Sequence, residues 1–181
     1  MAKLIMWNLM TLDGFFEGPN RDISWHEDVW GEELEALSIE QLKSAGGLMF
    51  GRVTYELMAN YWPNAAGEVA DFMNASPKYV FSRTLAKSDW NNTQAFGVDL
   101  PGAVARLKRE SAKDIFLFGS ADLSASLIPH GLIDEFRIAL NPVILGGGTP
   151  LFKPGERVKL RLIDSRAHST GVVILRYEPA T

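Results

Sequence analysis

The sequence contains no cysteine among its 181 residues. Thiol nucleophiles, thiolate metal ligands and disulfides are therefore excluded. It also lacks an apolar run near the ~20 residues of a membrane helix, and its N-terminus lacks the long apolar stretch of a secretory signal. Basic charge is not in excess, since 18 Lys and Arg face 22 Asp and Glu, so binding to a nucleic-acid backbone is not expected. We expect a cytoplasmic protein, bound to no membrane, whose partner is a small molecule.

Several common catalytic motifs are absent as well. The three histidines, His26, His130 and His168, are far apart in the sequence and none lies in an HExxH pattern, so no metal site is expected. There is no GxSxG pattern, which argues against serine hydrolase chemistry. The run Gly146-Gly147-Gly148 lacks the GxGxxG spacing and the Lys-Ser/Thr pair of phosphate loops, and it is interpreted as a turn or bulge.

The composition that is present is that of an ordinary globular protein. Apolar residues make up 46% of the chain, and the 16 glycines and 9 prolines are spread along it rather than clustered. No flexible linker is therefore indicated. A chain of this size buries roughly 70% of the surface that its unfolded form exposes. We predict a single domain over residues 1–181 that needs neither a disulfide nor a metal.

Hydrophobic periodicity predicts that strands and helices alternate through the first two thirds of the chain. The predicted strands are Lys3–Met10, Leu48–Phe50, Lys78–Phe81 and Asp114–Phe118. The predicted helices run from Gly31 to Gly46-Gly47, over Val53–Tyr61, over about Glu68–Asn74, from an N-cap at Asp99 to Arg109, and from Ala121 to Ile128. A long loop is predicted over 15–30. Only strands follow, at 136–140, Val158–Ile163 and Val172–Tyr177. This pattern predicts an α/β fold with a largely parallel sheet closed by a C-terminal antiparallel hairpin.

In open α/β sheets, ligands bind beyond the carboxyl ends of the strands. The first turn of this kind holds Gly51, Arg52 and Thr54, where a glycine admits a ligand to the backbone, a helix N-terminus offers free N–H groups, and the side chains add charge and a hydroxyl. These features are typical of a phosphate site. The alternative is a tight turn with a solvated arginine and a capping threonine.

Two further turns have similar features. Ser82 and Arg83 suit the 2′-phosphate that distinguishes NADP from NAD, because the arginine fork matches phosphate oxygens; the alternative is a solvated strand end. Gly119, Ser120 and Ala121 open a helix over which a pyrophosphate can lie; the alternative is close packing of helix on strand. The three turns together indicate dinucleotide binding more strongly than any one of them.

Substrate contacts are predicted from position along the chain. Asp13 follows the first strand and can reach the cleft, or can only form a turn with Gly14. Trp25, Tyr55 and Trp62 offer flat rings that can stack on a heteroaromatic substrate, or can belong to the core. No residue is assigned a catalytic role.

A set of motifs along nearly the whole chain matches a known family. The motifs are Thr11-Leu12-Asp13-Gly14, Gly51-Arg52-Val53-Thr54-Tyr55-Glu56, Tyr61-Trp62-Pro63, Pro77-Lys78-Tyr79-Val80-Phe81-Ser82-Arg83-Thr84-Leu85, Gly119-Ser120-Ala121, His130-Gly131-Leu132-Ile133-Asp134-Glu135 and Asn141-Pro142-Val143-Ile144-Leu145-Gly146-Gly147-Gly148. Together they resemble the dihydrofolate-reductase superfamily. More narrowly, they resemble the reductase domain of the bifunctional riboflavin-biosynthesis deaminase/reductase and its stand-alone bacterial relatives.

The resemblance implies a mixed, mostly parallel eight-stranded sheet flanked by helices, with NADPH across the turns at Arg52, Ser82 and Gly119. It implies direct hydride transfer to a small heterocycle or sugar carbonyl, as in the 5-amino-6-(5-phosphoribosylamino)uracil reductase of riboflavin biosynthesis, with no covalent residue. The relatives also suggest a homodimer. The sequence around Glu35 does not match the substrate-binding carboxylate of true dihydrofolate reductases, which argues against folate. The alternative function is a non-catalytic NADP-binding or interaction module on the same fold.

Overall fold

The central element of the fold is an eight-stranded sheet. The computed structural model describes residues 1–85, 88–97, 99–155 and 157–180. The strands of the sheet are β1 (Leu4–Thr11), β3 (Ala45–Gly51), β4 (Lys78–Phe81), β5 (Thr93–Phe96), β6 (Asp114–Phe118), β7 (Glu135–Asn141), β9 (Leu160–Ala167) and β10 (Val173–Pro179). Their spatial order is β5-β4-β3-β6-β1-β7-β10-β9. The strands from β5 to β7 are parallel, and β10 pairs antiparallel with β7 and β9. The predicted fold class is confirmed.

Five helices flank the sheet and bury their apolar stripes against it. They are α1 (Glu32–Ser44), α2 (Arg52–Tyr61), α3 (Glu68–Ala75), α4 (Leu100–Glu110) and α5 (Ala121–Leu127). One core cluster joins one sheet face to α1, α2 and α3, and a second joins the other face to α4 and α5. The predicted N-cap of α4 is confirmed, since Asp99 Oδ1 accepts from the Gly102 N–H at 3.0 Å. Such a cap contributes about 1 kcal/mol.

β1 is mostly apolar because both of its faces are covered, and its two polar residues, Asn8 and Thr11, are buried as well. Leu4 and Met6 belong to one core cluster and Ile5 and Trp7 to the other, all at most 4% exposed. Alternate residues of a strand point to opposite faces, so a strand between two helix layers has no position for a solvated side chain. Each large buried side chain contributes roughly 1.5 to 3 kcal/mol. The carboxyl end of β1 is thus fixed at the middle of the sheet edge.

The segment predicted as a loop over 15–30 contains regular structure. It forms β2 (Phe15–Glu17) and two 3₁₀ segments, Pro19–Arg21 and Ser24–Val29. β2 pairs antiparallel with β8 (Thr149–Pro150) in a separate two-stranded sheet. This pairing attaches the segment after β1 to the chain that follows β7.

Two predicted boundaries were wrong, and one strand was not predicted. α1 ends at Ser44, and Gly46 and Gly47 lie inside β3 instead of ending the helix. A Cβ at Gly46 would lie 2.3 Å from Ser111 Oγ, and one at Gly47 would lie 2.4 Å from the Tyr79 ring, so these glycines serve close packing. The strand predicted over Val158–Ile163 is displaced to 160–167, and β5 was not predicted at all.

Within the described residues, no helix is long and apolar enough to cross a bilayer.

Candidate functional site

A cleft of about 1340 Å³ lies along the carboxyl edge of the main sheet. Four neighbouring strands line it, in the order β4-β3-β6-β1. The first three contribute residues at or just after their ends, and β1 contributes Trp7, Asn8 and Leu9, which begin level with the end of β6. The remaining walls come from α2, from the first turns of α5, from the segment 16–26 and from the chain around 148–153. At a strand spacing of about 4.8 Å, β4 and β1 are roughly 14 Å apart. The cleft is therefore elongated across the strands, as a site for an extended ligand requires.

Two of the predicted phosphate turns are bonded to each other at the centre of the cleft. Ser120 Oγ accepts from the Gly51 N–H at 2.9 Å, and Thr54 Oγ1 accepts from the Ser120 N–H at 3.1 Å. Thr54 and Ser120 are 8% and 7% exposed. Their hydroxyls therefore hold the turns after β3 and β6 in register with each other. Both residues also line the cleft, so their role as cofactor contacts stays a prediction.

Gly119 is required where the two turns meet. Its φ is +55°, a left-handed conformation that favours glycine, and a Cβ there would lie 2.9 Å from Thr54 Cγ2. Ser120 follows with φ +63°. Two consecutive left-handed residues turn the chain sharply between β6 and α5. Both residues line the cleft, and the sharp turn leaves room there for a ligand.

The N-terminus of α2 faces the cleft without a side-chain cap. Gly51 occupies the N-cap position and no side chain accepts from the first turn, so the N–H groups there remain available to an anion. Arg52 Nη1 pairs with Glu56 Oε2 one turn later at 2.8 Å, and both side chains are about half exposed. An exposed pair of this kind contributes at most ~1 kcal/mol, so a phosphate can compete for the arginine.

The cleft contains more positive than negative charge that is free to act on a ligand. The acidic groups that line it are each engaged: Glu17 accepts from Thr149, Glu56 pairs with Arg52 and Asp122 with Lys153. Arg21 and Arg83 also line the cleft. Among the described residues neither arginine has a salt-bridge partner. The electrostatics of the cleft therefore favour an anionic ligand.

The predicted turn after β4, which holds Ser82 and Arg83, lines the cleft only in part. Arg83 lines the cleft, together with Phe81 and Thr84. Ser82 is not among the lining residues, and its Oγ accepts from the Thr84 N–H at 3.0 Å. Arg83 and Thr84 are thus the residues of this turn that a ligand can reach. Ala121, in the turn after β6, also lines the cleft and is 4% exposed.

Of the four predicted substrate contacts, only Trp25 lines the cleft. Tyr55 is 2% exposed and packs in the core against Phe50 and Trp90. Trp62 packs against the same core and donates from Nε1 to Met58 Sδ at 3.0 Å. The placement of these two rings in a substrate pocket is corrected: Tyr55 is on the face of α2 that points to the sheet, and Trp62, the residue after α2, packs against the same core.

Asp13 has a structural role outside the cleft lining. Its carboxylate accepts from Thr11 Oγ1 at 2.7 Å and from the N–H groups of Leu145 and Gly146 at 3.2 and 2.8 Å. The Thr11 hydroxyl and these backbone donors lower the pKa of Asp13. The carboxylate therefore joins the end of β1 to the loop after β7, which is a larger turn than the pairing with Gly14 that the sequence suggested.

Several residues that line the cleft carry no sequence signal that would have selected them. Arg21, His26, Met58 and Lys153 are the clearest cases. His26 Nδ1 and Trp25 Nε1 are buried without a hydrogen-bond partner, and the two rings meet edge to face at 5.7 Å. Buried polar atoms without a partner are rare, so these two atoms distinguish the segment 16–26 from the other walls of the cleft. No cluster that could hold a metal ion is found in the part of the chain that the structure describes.

Comparison with known proteins gives consistent matches over most of the chain. The model of the RibD C-terminal domain matches residues 2–174. The uncharacterized protein YyaP of Bacillus subtilis (strain 168) is 33% identical over 181 residues, covering 97% of this chain and 94% of YyaP.

Two solved structures show the same fold. A Shewanella sp. PV-4 protein named for riboflavin biosynthesis superposes with a TM-score of 0.82 at 19% identity over 100% of both chains. Dihydrofolate reductase from Enterococcus faecalis, complexed with NADP(H), superposes with a TM-score of 0.67 at 12% identity, covering 99% of this chain and 97% of that one.

Proposed function

The chain belongs to the RibD C-terminal domain family, and from this membership we propose that it is an NADPH-dependent reductase. It transfers a hydride to a small heterocyclic or sugar-carbonyl substrate, and the substrate type of the riboflavin-pathway reductases is the first to test. The single observation that supports this best is the elongated cleft across four strand ends, with an unpaired arginine at one end and an uncapped helix N-terminus near its middle.

The cleft residues fit a dinucleotide phosphate in a defined direction. Arg83 follows β4 and is the free guanidinium for a 2′-phosphate. The N-terminus of α2, with Arg52, follows β3 and suits the pyrophosphate. β6 and β1 come next in the sheet, so the nicotinamide end of the cofactor lies toward β1 and the segment 16–26. When bound, the cofactor supplies the hydride, and the protein positions two flat partners and excludes water.

Titration with NADPH and NADH, followed by tryptophan fluorescence, tests this proposal. NADPH is expected to quench at micromolar concentration and NADH only at much higher concentration. A charge-assisted contact contributes roughly 1.5 to 3 kcal/mol, so Arg83→Ala is expected to weaken NADPH tenfold or more and to leave NADH nearly unchanged. The matched control is Arg109→Ala, which removes an exposed arginine from α4, away from the cleft.

The outcomes separate a cofactor-binding protein from an interaction module without a cofactor. Equal weakening of both cofactors by Arg83→Ala rejects the 2′-phosphate role. An absence of response to either cofactor rejects the reductase and favours an interaction module on this fold.

We also propose that the protein forms a homodimer through β9. Every residue of this edge strand is exposed, including the apolar Leu162 at 50% and Ile163 at 39%. A twofold axis through Ser165 that pairs two β9 strands antiparallel places Asp164 of each copy opposite Arg166 of the other. Neither charge has a salt-bridge partner within the described residues, so this pairing satisfies both.

A further inference from the structure

His26 presents one nitrogen to the cleft and hides the other. The residue lines the cleft and lies in the 3₁₀ segment Ser24–Val29. Within the described residues, its Nδ1 is buried without a hydrogen-bond partner, whereas Nε2 is not buried and makes no hydrogen bond. Nε2 is therefore accessible to a ligand in the cleft.

Contacts of the chain just after its segment place His26 toward one end of the cleft. Gly31 lies next to Thr170 and Glu33 accepts from the Ser169 N–H, in the loop between β9 and β10, beyond β1 and β7 in the sheet. Arg83 follows β4, three strands from β1 in the other direction. If Arg83 binds the 2′-phosphate, the nicotinamide lies toward the β1 end, and Trp25, the neighbouring ring at 5.7 Å, lines the cleft beside His26.

We propose that His26 lies beside the nicotinamide ring and donates the proton that accompanies hydride transfer. This inference rests on the function proposed above. It assigns a catalytic role to a residue whose only role considered from the sequence was metal binding.

The reaction balances with one proton from the imidazolium. The carbon of a C=O or C=N group takes the hydride, the π bond breaks, and its electron pair takes the proton from His26 Nε2. The products are the reduced substrate, oxidised cofactor and neutral imidazole, which regains its proton from water. General acids of this kind contribute typically 10²- to 10⁴-fold to the rate.

The surroundings of the ring tune its acidity toward this role. Burial lowers the pKa of His26, and the nearby charges of Glu27 and Asp22 oppose the shift. A second tryptophan, Trp30, covers the ring at 6.1 Å. A lowered pKa makes the imidazolium a stronger acid, and it also reduces the fraction of His26 that is protonated at neutral pH.

Charges elsewhere on the cleft wall complete this environment. Arg21 shares the segment, Arg52 and Glu56 face the cleft from α2, Asp122 and Lys153 pair across from α5, and Glu17 and Arg83 line its ends. A histidine ordinarily changes its charge near neutral pH, so the part of a pH profile that His26→Gln removes belongs to His26.

The placement is tested without a substrate by measuring the pKa of His26 in two complexes. Oxidised nicotinamide carries a positive charge that the reduced ring lacks. A neighbouring imidazolium is therefore destabilised, and the pKa of His26 is expected to be about one unit or more lower with NADP⁺ than with NADPH. The measurement is an NMR titration of the imidazole Cε1–H signals, of which the chain has three, since it contains three histidines.

The signal is assigned with His26→Gln, and His130 and His168 are internal references because neither lines the cleft. Equal pKa values for His26 in the two complexes overturn the placement while leaving the cofactor proposal intact. If fluorescence shows that neither cofactor binds, the proposed function fails and this inference fails with it.

Turnover then tests proton donation, with the compound that the wild type reduces fastest among aromatic aldehydes, quinones and pyrimidines. His26→Gln keeps a hydrogen-bond donor but cannot titrate. It is expected to lower kcat by 10²-fold or more, to leave the KM for NADPH unchanged and to remove the fall in rate above the pKa of the histidine. His130→Gln, at an exposed site, is the matched control. An unchanged kcat and pH profile in His26→Gln overturn the proton-donor role.

Discussion

Lys78 is a buried lysine without a carboxylate partner, and it makes the stability of the fold depend on pH in an unusual direction. Its side chain is fully buried. Nζ donates to the Asn74 carbonyl at 2.7 Å and lies 4.4 Å from the centre of the Trp90 ring. Burial lowers the pKa of Lys78 from 10.5 to about 8. The carbonyl and the ring face therefore compensate only part of the lost hydration.

The sign of the effect follows from proton binding. Between about pH 8 and 10.5 the unfolded chain holds a proton on this lysine that the folded chain has released, so the free energy of unfolding rises with pH in this window. Over the whole window the lowered pKa corresponds to about 3 kcal/mol. From pH 7.5 to 9.5 the same two pKa values give a rise of about 2 kcal/mol.

Lys78→Met tests this reasoning because methionine fills a similar volume without titrating. The variant loses the desolvation penalty but leaves the Asn74 carbonyl unpaired, at about 1 to 3 kcal/mol, so its stability at neutral pH is expected to stay close to that of the wild type. Urea unfolding at a series of pH values measures the difference. The reasoning is refuted if the variant keeps the rise between pH 7.5 and 9.5, since the rise then belongs to another group.

Two further predictions concern the cofactor and the assembly. Arg52→Ala is expected to weaken NADPH and NADH alike, by about tenfold, because both carry the pyrophosphate; unchanged binding with a lower melting temperature would show a structural role instead. Light scattering is expected to give twice the chain mass of 20.0 kDa, with weaker association in Asp164→Arg and recovery in the double variant that adds Arg166→Asp. A monomer at all concentrations, or no recovery, rejects the pairing through β9.

Much of the fold was predictable because two periodicities were strong. The apolar run at the start of β1 and the alternation in β10 come from strands whose side chains meet a packed core. β5 was missed because Thr93-Gln94-Ala95-Phe96 is a short edge strand with no residue buried. Its place depends on pairing with β4, which is a tertiary contact that no local pattern encodes.

The glycines in β3 illustrate a second limit. A Gly-Gly pair after an amphipathic run predicts a helix end, yet Gly46 and Gly47 serve close approach to Ser111 and Tyr79. These partners are more than 30 residues away in sequence. A local pattern cannot distinguish a glycine that frees the backbone from one that makes room for a distant neighbour, although the helix does end two residues earlier.

The site residues were likewise only partly predictable from the sequence. In α2, the helical periodicity separates the residues that pack in the core from those that line the cleft. Tyr55, Ala59 and Trp62 recur at i, i+4 and i+7, the spacing of a buried stripe, and all three pack against the core. Arg52, Glu56 and Asn60 recur at i, i+4 and i+8 on another face, and all three line the cleft. Aromatic character drew attention to Tyr55 and Trp62, whereas helical spacing alone assigns them to the core and assigns the polar stripe to the ligand. His26 has no such signal, because its 3₁₀ segment between β2 and α1 is placed by tertiary contacts, and only the burial of Nδ1 beside an accessible Nε2 distinguishes it from an ordinary surface histidine.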